Sequence, residues 1–264
     1  MNSRIEAILS EVSNLNTYDV GSVLGAVNSL LLRQAIMATI NLIPELPEEG
    51  SGNDPHANFQ LGMRRPEIIK AVAPLLGMAA RISEVQAEYS TFPPQTLESV
   101  LEFITSHPTT EQTILADYNA RRRSGNRPSG TVGEFVERNL KTARQREANI
   151  KAKGEAAVQL LNQIEGSEST DDDIGEMLME QIEAKVYDKL RQRWLSNDDR
   201  STSNTLPQDA KDDAQADRML VGKAMLALGM EPPLVPSERG RPEVDAQVFD
   251  GVAARPSERT WPVQ

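Results

Sequence analysis

The sequence predicts an all-α protein: a multi-helix bundle with a long charged helical hairpin and an extended, proline-rich C-terminal tail. Three observations lead there. Apolar residues are 39% of the 264 but aromatics only 4%, so a core must be built from Leu, Ile, Val, Ala and Met. Such a core suits helix-on-helix packing better than strands, which favour aromatic and β-branched residues. Apolar positions recur three and four residues apart along most of the chain. Helix-start spacings, Ser or Thr followed three residues later by Glu or Gln, stand ahead of several of these stretches.

The first helix starts at Ser3, where Ser3 and Glu6 have capping-box spacing, and carries Ile5, Ile8, Leu9, Val12 and Leu15 on one stripe. Asn14 to Asp19 reads as a turn. The most apolar region, Val20 to Ile43, is a second helix that stops at Pro44, which cannot donate the next hydrogen bond. A bilayer span needs about 20 mainly apolar residues. Arg33-Gln34 would lie near the centre of this one, so a buried helix is expected and no membrane span. Gly21 and Gly25, four apart, either let another helix approach closely or merely weaken the first turn.

Pro44 to Asn58 reads as a loop. Helix resumes near Arg65 and reaches about Tyr89, with Ile68, Ile69, Val72, Leu75, Leu76, Ala79 and Ile82 facing inward. Pro74 is expected to kink or split it. After Pro93-Pro94, Leu97, Val100, Leu101 and Ile104 make a short helix that ends before Pro108. Thr109 and Gln112 open another, which carries Ile114, Leu115 and Tyr118.

The run Arg121-Arg122-Arg123-Ser124-Gly125-Asn126-Arg127-Pro128-Ser129-Gly130 is the best candidate boundary. Thr131 and Glu134 restart a helix expected to reach Glu165, about 50 Å at 1.5 Å per residue. Its seam is Leu140, Ala143, Glu147, Ile150, Gly154, Ala157, Leu161 and Ile164, weak in the middle where Glu147 and Gly154 fall. A turn follows at Gly166 to Thr170. Then comes a helix from Asp173 to about Leu195, with Ile174, Leu178, Ile182, Val186, Leu190 and Trp194 four apart. Folding it back on its predecessor is the simplest way to bury both stripes.

Ser196 to Ala214 reads as a mobile polar linker, followed by a short helix at about 215–229 that ends at Gly229. Six prolines in the last 34 residues make the rest extended. The expected organisation is 1–120 as a helical domain, 121–198 as the hairpin, and 199–264 as linker, short helix and tail. The tail carries Leu234, Val235, Val244, Val248, Phe249, Val252 and Trp261. A purely solvating end does not need those, so tail docking through Leu234, Val235, Val248, Phe249 and Trp261 is expected.

Charge is sorted along the chain. Residues 121–153 carry ten basic and three acidic side chains; residues 165–217 carry fifteen acidic and six basic. The two stretches therefore attract each other, either as antiparallel helices of one chain or head to tail between subunits.

Most catalytic mechanisms draw on cysteine or histidine. Here there is no cysteine and there are two histidines, His56 and His107, each in a loop-like stretch beside a proline. No disulfide, thiolate metal site or thiol redox chemistry is available to such a chain. The net charge of −11 opposes wrapping around nucleic acid or an anionic membrane. The start, Met1-Asn2-Ser3-Arg4-Ile5-Glu6, has no basic and apolar signal pattern. A cytoplasmic or virion location is therefore expected.

Two local patterns invite chemistry. Arg121, Arg122, Arg123 and Arg127, continued by Arg138, Lys141 and Arg144, form a candidate polyanion or partner contact, since arginine forks match phosphate. No aromatic is interleaved to stack bases, because Tyr118 and Phe135 only flank the run. Asp171-Asp172-Asp173-Ile174-Gly175-Glu176 and Asn197-Asp198-Asp199-Arg200-Ser201 superficially resemble the magnesium motifs of terpene cyclases. The two stretches lie roughly 25 residues apart, too close for opposite pocket walls. Thr205 stands where the second should close with glutamate. No family is assigned on that ground. Glu176, Glu180 and Glu183 share a helix face and read as solvated acids.

The sequence therefore predicts a non-enzymatic structural or assembly protein without a cofactor. It would be a shell, scaffold or adaptor subunit of a large assembly such as a virus or phage particle, and a homo-oligomer or part of a larger complex. The alternative is a nucleic-acid-associated protein that binds phosphate through the Arg121–Arg127 loop. A carboxylate- and Mg²⁺-dependent enzyme is the remote third.

Overall fold

A computed structural model describes residues 3–43, 55–106, 109–164 and 175–233, with backbone only for 55–61. Among these residues the chain forms eight helices and no strand. They are α1 (Ser3–Ser13), α2 (Thr17–Leu42), α3 (Pro55–Tyr89), α4 (Leu97–Thr105), α5 (Glu111–Arg123), α6 (Val132–Leu161), α7 (Glu176–Thr202) and α8 (Gln208–Ala227). The all-α multi-helix architecture read from the sequence is the architecture found. The tail residues Leu234, Val235, Val244, Val248, Phe249, Val252 and Trp261, together with His107 and Asp171–Asp173, lie outside the described residues.

The chain divides into two compact units that are interleaved in sequence rather than cut at residues 121 and 199. One is built from 28–84 and 94–174, the other from 2–27, 85–93 and 175 onwards. Helices α2 and α3 each contribute to both, which is why no linker composition marks the division.

In the first unit, α6 packs along α4 and α5. Thr96 caps α4 in a reciprocal box with Ser99, and Thr131 caps α6 in one with Glu134. The cap of α5 is Thr110, one residue beyond the expected position. Near its start, α6 buries Phe135 and Val136 against Ile114 and Tyr118 of α5, with Leu140 alongside. Near its end it buries Gly154, Ala157, Val158, Leu160 and Leu161. Between these stretches Ile150 is exposed, so the weak middle of the seam is real. Glu147 there accepts from the Thr109 backbone N–H. Gly154 sits against Leu101, where a Cβ has no room.

Helix α3 runs unbroken through Pro66 and Pro74. A proline removes one backbone donor, and the bonds on either side carry the helix on. Its first turn starts at Pro55, so His56 is helical rather than in a loop. Ile68, Val72, Ala79 and Ile82 are buried as expected, but Ile69 faces outward. Helix α2 is long and apolar enough to cross a membrane by length and composition. Inside the protein, 56% of its most apolar window is buried, and Arg33 reaches the surface.

In the second unit, α7 packs on α8, and α1 also touches α8. Helix α7 buries Met179, Ile182, Val186 and Leu190, and α8 buries Ala214, Val221, Gly222, Ala224 and Met225. Helix α6 is covered by α4 and α5, and α7 by α8. The stretch 196–214 is not a linker. Helix α7 continues to Thr202, α8 begins at Gln208, and Asn197, Asp198 and Ala214 are buried. Asp198 is buried because it meets Arg218 of α8, which composition alone does not reveal.

Helix α8 ends in a reciprocal C-terminal cap. Gly229 has φ +73°, its N–H bonds to Leu226 O, and the Met230 N–H bonds to Met225 O.

Candidate functional site

Three features stand out from the helices: a solvated basic arm, a buried charge network, and exposed apolar faces.

The basic arm lies in the first unit. Arg121, Arg122 and Arg123 form the last turn of α5, where cations complement the helix dipole. Arg121 pairs with Asp117 at 2.9 Å and stacks over Phe135, 5.9 Å from its centroid. Gly125 and Gly130, with φ of +82° and +88°, turn the chain on either side of Arg127. Arg138, Lys141 and Arg144 follow on α6. The structure therefore spreads the seven residues over a helix end, a loop and about 9 Å of helix axis. All seven are exposed. Tyr118 and Phe135 are consumed by the small core beneath, 5.1 Å apart. Among the described residues of α5 and α6, no aromatic ring is presented for base stacking.

Sequence reasoning missed the charge network of the second unit. At the start of α2, the Asp19 N–H donates to Asn16 Oδ1, and Asn16 Nδ2 donates to Asp19 Oδ2 at 2.8 Å. The Asp19 side chain is 2% exposed and lies 2.7 Å from Arg193 Nε on α7. That N–H is not aligned on the oxygen, so the contact is an ion pair without a formed hydrogen bond. Asp217 of α8 approaches the same guanidinium at 3.5 Å. Tyr18 stacks on it, with Cζ 4.9 Å from the ring centroid. Burial pushes the Asp19 carboxyl above the ordinary aspartate range, and Arg193 only partly offsets that.

One turn further along α7, Asp198 pairs with Arg218 of α8 at 2.5 Å. Arg218 lies over the Trp194 ring, 4.7 Å from its centroid. The opposite edge of the indole presses on Gly222, and its Nε1–H donates to Pro233 O at 3.1 Å. Asn197 is fully buried, with neither amide atom hydrogen-bonded. The motif-like Asn197-Asp198 is thus a helix–helix fastening. Two of the three glutamates on the acidic face of α7 are also engaged, since Arg4 bonds both Glu176 and Glu183 at 2.6 Å. Among the described residues, no three His, Asp or Glu side chains lie together as a metal-binding group. The available signal was the adjacency of opposite charges and aromatics in Arg193-Trp194 and Asp217-Arg218. It has no period and so escapes pattern reading.

Two apolar faces of the second unit point outward. On α8, Ala216, Met219, Leu220, Leu226 and Ala227 form an exposed stripe interrupted only by Lys223. Met219, Leu220 and Leu226 are 51%, 41% and 47% exposed. Where α2 begins and α3 ends, Tyr18, Tyr89 and Phe92 are exposed. Tyr18 and Phe92 meet edge to face at 5.7 Å. Phe92 and Ser90 crowd Gly21, while a Cβ at Gly25 would lie 3.7 Å from Gln86, so the close approach is at Gly21 and is made by the segment after α3 rather than by a helix.

No protein-family model matches this chain, and no curated protein or solved structure is significantly similar to it.

Proposed function

We propose that this chain is a non-enzymatic structural or assembly protein: a shell, scaffold or adaptor subunit of a large assembly, such as a virus or phage particle. It would act by helix packing and tail docking in the cytoplasm or virion. The observation that carries this reading is the outer stripe of α8. A helix whose inner face is fully used in the fold, and whose outer face repeats Ala216, Met219, Leu220, Leu226 and Ala227, has the pattern of a helix that docks into a second apolar groove. Contiguous exposed apolar side chains of this kind mark interaction sites. The charged side chains buried in the second unit are paired with one another, which suits fastening helices rather than turning over a substrate.

Light scattering over a concentration series tests it. The expected mass rises with concentration, and the rise is lost in a Met219→Lys, Leu226→Lys variant. A strict monomer at the highest concentration reached overturns the reading.

The second reading, phosphate binding by the basic arm, is favoured by one observation: all seven basic side chains are solvent-exposed. It requires affinity for a labelled oligonucleotide that falls with salt and drops when Arg121, Arg122 and Arg123 become Ala.

A further inference from the structure

The exposed rings at the junction of α2 and α3 are not explained by the α8 stripe. Tyr18, Tyr89 and Phe92 are three of the chain's eleven aromatic residues, all exposed, with Tyr18 and Phe92 in contact and Tyr89 at the end of α3 three residues before Phe92. The rings of Tyr18 and Phe92 are held in place. The Phe92 N–H is bonded to Ser90 Oγ, Ser90 Oγ–H to Thr17 O, Phe92 lies on Gly21, and Tyr18 lies on Arg193. A fixed set of aromatic rings with an arginine beneath it has the composition of a recognition surface rather than of a solvated one. The ligand class that such rings take at low entropic cost is an extended, proline-bearing chain.

This protein carries such a chain. Thirty-one residues follow Pro233, with prolines at 236, 242, 256 and 262. The point of departure is known. Trp194 Nε1–H holds the Pro233 carbonyl, and the neighbouring residue on α7, Arg193, is the one stacked on Tyr18. An extended segment advances about 3.1 Å per residue, so the first ten residues alone reach about 30 Å. A segment tethered this closely faces its target at an effective concentration on the order of millimolar, which favours even a weak contact.

We propose that the Tyr18–Tyr89–Phe92 face is the intramolecular seat of the proline-rich C-terminal segment of the same chain, entered by residues 234–242. This takes up the tail docking of the assembly reading and seats it within one chain, while the outer stripe of α8 is left to packing between chains.

The absence of native cysteine makes a clean test available. A Thr91→Cys, Ser237→Cys chain is oxidised at submicromolar concentration beside an Asp209→Cys, Ser237→Cys control, both otherwise full length. The expected result is a disulfide within one chain that forms about tenfold faster than in the control, as a seated tail should react compared with a merely tethered one. The advantage should disappear when Pro236 and Pro242 become Ala, changes that leave the helical body untouched. Equal rates in the two pairs, an advantage that survives the proline changes, or a disulfide between chains at that dilution each overturn the proposal. A fast intrachain bond in a protein that scatters as a monomer would uphold this inference while removing the assembly reading.

Discussion

The end of α5 with the start of α6 and the packed pair α7–α8 are both rich in charge, and they use it in opposite ways. Around Arg121 to Arg144 the basic side chains are spread over solvent, and a core of four buried residues suffices beneath them. On α7 and α8 the cations are interspersed with acids, and Arg193 and Arg218 are largely enclosed, each between a carboxylate and an aromatic ring. Charge that is conspicuous in the sequence is structurally idle here, and charge that is inconspicuous is built into the packing. What separates them is burial: an ion pair taken out of water is costly to break from one side, whereas an exposed one is worth little.

The comparison can be broken most directly at Asp198. Replacing its partner, Arg218→Met, removes the cation opposite a carboxylate whose side chain is 3% exposed. The expected loss is about 3–5 kcal/mol in urea denaturation. An effect below about 1 kcal/mol would mean that the network is decorative.

Gly222→Ala comes next, since the added methyl meets the Trp194 ring. A cost of about 1–3 kcal/mol is expected. Gly133→Ala on α6, where a Cβ meets nothing, should be neutral or stabilising by up to about 1 kcal/mol.

Asp19 sharpens the contrast through pH. Its folded carboxyl titrates above the ordinary value near 3.8, so the folded state holds the proton more tightly than the unfolded chain. That contribution to stability is complete below the unfolded value and is lost as pH rises through the folded one. Asp19→Asn cannot titrate, and so should gain on the parent as pH rises across this window and gain nothing further above it. Parallel stability curves for the two proteins would contradict the burial described.

Smallest should be the exposed contacts. Arg4→Ala should cost about 1 kcal/mol or less, shrinking in salt. Arg122→Ala and Arg123→Ala should stay within about 0.5 kcal/mol of the parent.

Much of the fold was legible because it rests on periodicity. The stripe of α1, the box at Thr131 and Glu134, the weak seam around Glu147 and the stop at Gly229 are all local signals, and all appear where they were read. Partner choice was not legible. The stripes of α6 and α7 each state that something apolar must cover them without stating what. The Ser, Asp and Asn content of 196–214 imitates a linker, since Asp198 looks solvated until Arg218 is brought across from α8. Of the candidate site, the arginine run was found by its density. The exposed rings of Tyr18, Tyr89 and Phe92 gave no signal, because nothing in a sequence distinguishes an aromatic that faces out from one that faces in.

Trp194 has a use beyond packing. With its edge on Gly222, its face under Arg218 and its N–H tied to Pro233, the indole reads three neighbours of the α7–α8 junction at once. The chain has one other tryptophan, Trp261. Changing that one to Phe leaves a single tryptophan, whose emission colour reports, without any label, whether the two helices are still together.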